Sequence, residues 1–176
     1  MKDLSLSVLD IAMNSVRAEA SLIGITVDED GQILTVLITD NGFGMDAEFL
    51  SRVTDPFTTS RTTRSVGMGI PLFKQAAEQA GGSFSITSEP GRGTELTATF
   101  QIGHLDRPPL GDMASTITTL IQGSPEIDFV YRHTAPGGEA SLDTRELRGA
   151  LEGVPLDTPD VLVWIQERLT EEENAL

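Results

Sequence analysis

The sequence contains no cysteine, which excludes disulfide bonds and metal sites built from thiolates. Aromatic residues make up only 5% of the 176 residues, and no apolar run approaches the roughly 18 residues that span a bilayer. The first 15 residues carry two acids and have no continuous apolar core, which argues against a secretory signal. From these absences we expect a soluble, cytoplasmic protein that does not use a membrane as a partner.

Basic residues are also scarce. The chain has 12 Lys and Arg against 27 Asp and Glu, which gives a formal net charge of −15. Nucleic acids and anionic surfaces are bound largely through clustered positive charge. The composition therefore predicts that no nucleic acid is the main partner.

A proline-rich segment divides the chain by composition. Pro108, Pro109 and Gly111 fit poorly inside a helix or a central strand. Residues 1–103 carry 7 basic and 13 acidic residues, whereas residues 104–176 carry 5 and 14. We therefore predict a main domain over 1–103, a linker over 104–112 and an acidic C-terminal extension over 113–176.

The hydrophobic pattern of the main domain predicts an α+β fold. We expect helices at about 3–20, 47–53 and 70–80, and strands at 23–27, 33–39, 83–88 and 94–102. This order favours a largely antiparallel sheet with helices on one face. It differs from the strand–glycine loop–helix order of P-loop and dinucleotide-binding folds.

The extension predicts a small α+β unit. We expect helices at about 113–121, 145–151 and 160–169, with Thr144 as a cap, and strands at 127–133 and 139–142. The acids at 171–173 are expected to form a solvated tail. No catalytic motif is apparent, so both a packing or dimerisation module and a docking surface for a protein partner remain open.

Polar residues recur on one side of the first predicted helix. Asp10, Asn14 and Arg17 stand at i, i+4 and i+7, which places a carboxylate, an amide and a guanidinium on one face. Metal-bound phosphates need such a mixture of groups. A solvated polar stripe on an amphipathic helix explains the same spacing.

A glycine-bearing loop, DNGFGM at residues 40–45, follows a buried strand. Asp40 can accept a hydrogen bond from an exocyclic amine, and the glycines let the backbone approach a flat ring closely. An ordinary glycine turn between a strand and a helix is the alternative.

Two further segments are less specific when taken alone. Residues 54–69 are rich in hydroxyls and arginine and end in glycines at the start of a helix, where anions are favoured. A surface loop followed by a helix start is the other interpretation. In residues 91–94, the hydroxyl of Thr94 either faces a pocket or belongs to an ordinary strand former.

In their order along the chain these segments resemble the boxes of the GHKL ATPases, which include gyrase-type topoisomerases, mismatch-repair and chaperone ATPases and histidine kinases. DIAMNSVRAEA is similar to the N box, DNGFGM to the first glycine box, DPFTTSR to the kinase F box and GMGIPL to the second glycine box. GRGTELTATF resembles the closing strand. The resemblance covers about residues 3–102. It implies a Bergerat-type α/β sandwich, with a mixed, mostly antiparallel sheet and helices on one face.

The resemblance also implies residue roles. Asn14 would ligate Mg²⁺, and Arg17 would touch phosphate. Asp40 would accept from the adenine amino group. The base pocket would further involve Gly42, Gly44, Met45 and Thr94. Residues 54–69 would form a mobile ATP lid, in which phosphate would be contacted by Arg61, Arg64, Gly67, Met68 and Gly69.

Asp10 stands where hydrolytic members of the family carry a glutamate that orients water. Aspartate is one methylene shorter, and catalytic geometry is sensitive at about 1 Å. Asp10 is thus the candidate catalytic residue, but its length disfavours efficient hydrolysis. The F box and the TTSR segment favour the kinase branch.

The N box begins ten residues into the sequence, so we expect no preceding dimerisation helices with a phosphoacceptor histidine. His104 and His133 lack the acid-flanked helical context of such an acceptor. The resemblance therefore implies Mg²⁺-dependent ATP binding with phosphotransfer to a separate protein, as in a histidine kinase catalytic domain or an anti-sigma-factor serine kinase. The alternative is a non-phosphorylating ATP-responsive switch or a slow ATPase. Partner binding through the extension and a homodimer are both left open.

Overall fold

The computed structural model describes residues 2–55, 57 and 68–176 of the chain. Up to the linker, the helices and strands are α1 (Leu4–Arg17), β1 (Leu22–Glu29), β2 (Ile33–Asp40), α2 (Ala47–Arg52), α3 (Gly69–Gln79), β3 (Phe84–Glu89) and β4 (Gly93–Gln101). After the linker they are α4 (Met113–Gly123), β5 (Asp128–Ala135), β6 (Gly138–Asp143), α5 (Thr144–Leu151) and α6 (Pro159–Asn174).

The strands form a single sheet in the order β3-β4-β2-β1-β5-β6. Every neighbouring pair is antiparallel except β1 and β5, which run parallel. The sheet is therefore mixed and mostly antiparallel, which confirms the predicted α+β class.

Strict alternation along the strands explains why the sheet has one buried face. In β2 the buried residues are Leu34, Val36 and Ile38, and the half-buried residues between them include Thr35. The antiparallel register sets Ile38 opposite Ile25 of β1, so the buried side chains of neighbouring strands share a face. Helices α1 and α3 pack against this face.

Helix α1 carries the predicted N box, and both of its ends are fixed. At the first turn Asp3 accepts a hydrogen bond from the backbone N–H of Leu6 at 3.0 Å, which is an N-cap. Buried Val8 anchors its inner face, and burial of one such side chain contributes about 1.5–3 kcal/mol. The helix ends at Arg17, earlier than predicted, because the chain turns at Glu19, whose φ is 61°.

The linker contacts the start of α1. The backbone N–H groups of Leu4 and Ser5 donate to the carbonyls of Pro109 and Leu110 at 2.9 and 2.8 Å. The first-turn N–H groups of a helix have no partner within the helix. The segment predicted as a linker therefore completes the amino-terminal end of the N-box helix.

The extension adds to the same sheet and core. Residues 22–28 of β1 pair with residues 128–134 of β5, while α4 packs against both α1 and α6. Buried Phe129 and Ile117 belong to the hydrophobic cluster that also holds Val8 and Ile25. The two parts of the sequence thus share one sheet and one core.

Two local expectations for the extension are wrong. The cap of α5 is Asp143, which accepts from the N–H of Arg145, because the hydroxyl of Thr144 is bonded to Asp128 and to the N–H of Phe129. The acids at 171–173 lie within α6 and do not form a solvated tail. Two of them have partners on the sheet: Glu172 accepts from the N–H of Ser141 at 3.0 Å, and Glu173 accepts from the hydroxyl of Tyr131 at 2.6 Å.

Candidate functional site

A cavity of about 320 Å³ opens between α1, the loop after β2 and the start of β4. This volume lies at the lower end of the range of about 300–1,000 Å³ for small-molecule pockets. Its apolar lining includes Ile11, Ile38, Met45, Ile70, Ile86 and Leu96. Its polar lining includes Asn14, Ser15, Asp40 and Thr94. A mostly apolar cavity with a few converging polar groups suits a flat organic ring that carries polar edges.

Asp40 is held in one orientation at the polar end of the cavity. Its Oδ2 atom accepts a hydrogen bond from the hydroxyl of Ser15 at 2.6 Å, and its Oδ1 atom accepts from the N–H of Gly42 at 2.9 Å. The residue is half-buried at the last position of β2. Its carboxylate is therefore fixed before any ligand arrives.

The β4 register brings Thr94 directly opposite Asp40. The hydroxyl of Thr94 lies 2.9 Å from that of Ser88, which also accepts the N–H of Met45 at 2.8 Å. This network joins the glycine loop to β3 and β4.

The glycine loop requires glycine at residue 44. Gly44 has a φ of 71°, and a Cβ atom there would overlap the carbonyl of Glu89. Gly44 and Met45, two of the residues assigned to the base pocket, line the cavity. Gly42 does not line it. It packs against Ala18, where a Cβ would meet the carbonyl oxygen at 2.6 Å, and it supplies its N–H to Asp40.

The polar face of α1 divides into two parts. Asn14 and Arg17 line the cavity, and the guanidinium of Arg17 donates to Oδ1 of Asn14 at 3.1 Å. Asp10 is exposed and does not line the cavity. It lies against Gly69, where a Cβ atom would be 3.1 Å from that of Asp10. The three residues thus lie on one side of the helix, but only two of them reach the cavity.

The cavity offers few protein ligands for Mg²⁺. Asn14 offers one amide oxygen at the cavity, and among the described residues no group of three or more His, Cys, Asp or Glu side chains could hold a metal. Mg²⁺ is often bound by one or two protein oxygens together with substrate phosphates and waters. The site therefore fits an ion that arrives with a phosphorylated ligand.

Three residues predicted for the lid, Arg61, Arg64 and Gly67, lie outside the described residues. Met68 precedes α3 and is 45% exposed, and Gly69 begins that helix. Neither lines the cavity. Pro71 occupies the first turn of α3, where proline is tolerated.

Sequence reasoning missed Ser15 and Phe43, both of which line the cavity. A signal for Ser15 was present. It follows Val8 and Ile11 at helical spacing and thus falls on the buried stripe of α1, where an unpaired hydroxyl would be costly. Phe43 is half-exposed, and nothing in the sequence distinguished it from an ordinary loop residue.

Fold and site together define a Bergerat-type ATPase domain, and comparison with known proteins gives the family. The family model of the histidine kinase-, DNA gyrase B- and HSP90-like ATPases matches residues 2–104. The chain belongs to this family, so it carries an ATP-binding domain of the GHKL type. Similar proteins of known sequence include sensor kinases of bacteria.

Two of these relatives illustrate the similarity. The chain is 30% identical over 89 residues to a probable C4-dicarboxylate sensor kinase of Bacillus subtilis, and the match covers 51% of this chain and 17% of that protein. It is 26% identical over 105 residues to the sensor histidine kinase ZraS of Escherichia coli K12, covering 58% and 22%. The chain therefore spans about a fifth of the length of these relatives.

Solved structures share the fold over most of the chain. The MutL ATPase domain of Aquifex aeolicus complexed with ADP has a TM-score of 0.53 and 12% identity, covering 86% of this chain and 70% of that one. The N-terminal domain of a DNA repair protein has the same TM-score with 17% identity, covering 81% of this chain and 52% of that one. In the described part of this chain, no helix has the length and apolar character needed to span a membrane.

Proposed function

We propose that the cavity binds Mg²⁺-ATP and that the chain transfers the terminal phosphate to a separate protein. The observation that carries this proposal is the convergence of Asn14, Asp40 and Thr94 on one cavity from three distant parts of the sequence. Asp40 would accept from the adenine amino group. Asn14 would hold the metal ion, and Arg17 would contact phosphate.

Magnesium would supply positive charge to the phosphates, while the residues of this chain position them. The Oδ1 atom of Asn14 is the ligand that the site offers, and it now accepts from Arg17. We propose that Arg17 leaves Asn14 when the phosphates arrive, because a guanidinium forms stronger hydrogen bonds with phosphate than with an amide. Asp10, exposed beside Gly69, would face the phosphate end.

The histidines support a separate phosphoacceptor. His133 is 3% exposed, and both of its ring nitrogens are in hydrogen bonds with carboxylates. The Nδ1 atom of His104 accepts the N–H of Asp106 at 3.1 Å. The similarity to sensor kinases favours phosphotransfer over release of phosphate to water. The short side chain of Asp10 also favours phosphotransfer, because it disfavours efficient hydrolysis.

Labelled ATP tests this proposal. The purified chain is incubated with ATP that carries the label on the terminal phosphate, alone and with proteins that co-purify with it. Label on a second protein supports phosphotransfer, and its loss in Asn14→Ala ties the transfer to this site. Rapid release of labelled phosphate would instead show a hydrolase.

A second candidate is an ATP-responsive switch that transfers no phosphate. It is favoured by the hydrogen bonds from the first turn of α1 to Pro109 and Leu110, because they connect the helix proposed to contact ATP to the linker that leads into the extension. ATP binding without label on any protein, together with an ATP-dependent change in hydrogen exchange over 108–123, would support this alternative.

A further inference from the structure

We propose that Ser15 is a specificity-determining residue of this site, which makes the base pocket select an exocyclic amino group and reject a carbonyl oxygen at the same position. The inference rests on the proposed ATP site and adds a residue to its base recognition. It follows from the direction of a single hydrogen bond inside the cavity.

The hydroxyl proton of Ser15 is already used in a hydrogen bond within the protein. Ser15 is 4% exposed and lines the cavity, and its hydroxyl donates to Oδ2 of Asp40 at 2.6 Å. A serine hydroxyl has one proton and two lone pairs. With the proton directed to Asp40, Ser15 presents only acceptor capacity to a ligand in the cavity.

Asp40 likewise offers only acceptors. Both of its carboxyl oxygens receive hydrogen bonds, one from Ser15 and one from the N–H of Gly42. The polar end of the cavity therefore holds two acceptor groups, Oγ of Ser15 and Oδ2 of Asp40, whose oxygens are 2.6 Å apart. One N–H of an amino group placed against them can be shared between the two oxygens.

A carbonyl oxygen in place of the amino group would meet both acceptors without a proton to share. Sites built to hydrogen-bond one group discriminate strongly against an analogue that lacks it, because their buried polar atoms are left unpaired. Asp40 and Ser15 would both lose a partner with such a ligand. Ser15 thus adds to the discrimination that Asp40 alone provides.

Packing alone gives no reason for a hydroxyl at residue 15. The position lies on the buried stripe of α1, one turn after Ile11, and neighbouring Ala12 is fully buried. Alanine has a higher helix propensity than serine. The hydrogen bond with Asp40 is the interaction that makes serine favourable there.

The test compares ATP with ITP, whose base has a carbonyl where adenine has its amino group. Dissociation constants are measured for the full chain, for Ser15→Ala and for Ser7→Ala, a control at another buried serine of α1 outside the cavity. In Ser15→Ala we expect ATP affinity, and with it the preference for ATP over ITP, to fall by up to about tenfold, because the hydrogen bond lost is the neutral one from the amino group to Oγ of Ser15. Ser7→Ala should keep the parent preference.

A second measurement needs no variant. N6-methyl-ATP keeps one amino proton and N6,N6-dimethyl-ATP keeps none, so the unaltered chain should bind them in the order ATP, monomethyl, dimethyl. Equal binding of ATP and dimethyl-ATP, or an unchanged ATP preference in Ser15→Ala, would overturn the role of Ser15. If the parent chain binds no purine nucleotide at all, the proposed function itself fails.

Discussion

The Nδ1 atom of His133 lies 2.8 Å from Oε2 of Glu173, so the last turn of α6 is tied to a strand of the ATPase sheet. Its Nε2 atom lies 2.8 Å from Oε1 of Glu29 on β1. The hydroxyl of Tyr131 donates to the other oxygen of Glu173 at 2.6 Å. The cluster therefore joins two parallel strands and a helix through one buried imidazole, which can donate to both carboxylates only when it is protonated.

This cluster predicts a pH-dependent stability. Burial lowers the pKa of His133, but hydrogen bonds and charge from Glu173 and Glu29 outweigh it, so the pKa of His133 is raised above 6.5. The pKa of Tyr131 is raised by burial and by Glu173, so its hydroxyl remains a donor. The contribution of the imidazolium is fully present below pH 6.5 and is lost as the pH rises through the raised pKa.

Urea unfolding measures this effect. From pH 6 to pH 9, the free energy of unfolding of the parent chain should fall more steeply than that of His133→Gln. His104→Gln, which changes the other histidine, serves as the control and should follow the parent. If the free energy of unfolding falls equally with pH in the parent chain and in His133→Gln, protonation of His133 does not contribute to stability.

Removal of the amide oxygen of Asn14 should strongly weaken Mg²⁺-ATP binding. We expect Asn14→Ala to lose at least about tenfold in affinity, because the metal ligand at the cavity disappears. Calorimetric titration with and without Mg²⁺ measures this, and Asn174→Ala, an exposed position at the end of α6, is the control. Unchanged affinity in Asn14→Ala would contradict the assignment of the metal site.

The carboxylate of Asp40 should carry the preference for adenine. Asp40→Asn keeps the shape of the side chain but replaces one acceptor oxygen with a donor NH₂ group. We expect ATP affinity to fall about tenfold or more, while GTP affinity falls less. Competition binding measures both nucleotides, and equal losses for ATP and GTP would argue against base recognition by Asp40.

Deletion of residues 105–176 should destroy cooperative folding. The deletion exposes the edge of β1, which pairs with β5, and removes α4 from its contact with α1. The N–H groups of Leu4 and Ser5 also lose their carbonyl partners. Differential scanning calorimetry should show no sharp transition for residues 1–104. A fragment that melts cooperatively and binds ATP as tightly as the full chain would contradict this.

Regular alternation made most of the fold predictable. The apolar residues of β2 gave its bounds to within one residue, and the order of elements gave the α+β class. The parallel pairing of β1 with β5 was not predictable, because about a hundred residues separate the strands and nothing local encodes that contact. The last acids were misassigned for the same reason, since Glu173 is fixed by His133 on another element.

In the candidate site, too, local patterns predicted individual residues but not the contacts between distant ones. Local motifs identified Asn14, Asp40 and Thr94, which the structure brings to one cavity. Ser15 was missed because its partner Asp40 lies 25 residues away in the sequence, and the direction of its proton depends on that contact. Patterns thus located the polar groups, whereas the hydrogen bonds between them required the fold.

The most direct test of the account is a calorimetric titration of the purified full chain with ATP and with GTP in the presence of Mg²⁺. We predict a single ATP site whose affinity falls when Mg²⁺ is removed, and at least about tenfold weaker binding of GTP. Equal affinity for the two nucleotides, or no binding of ATP, would contradict it.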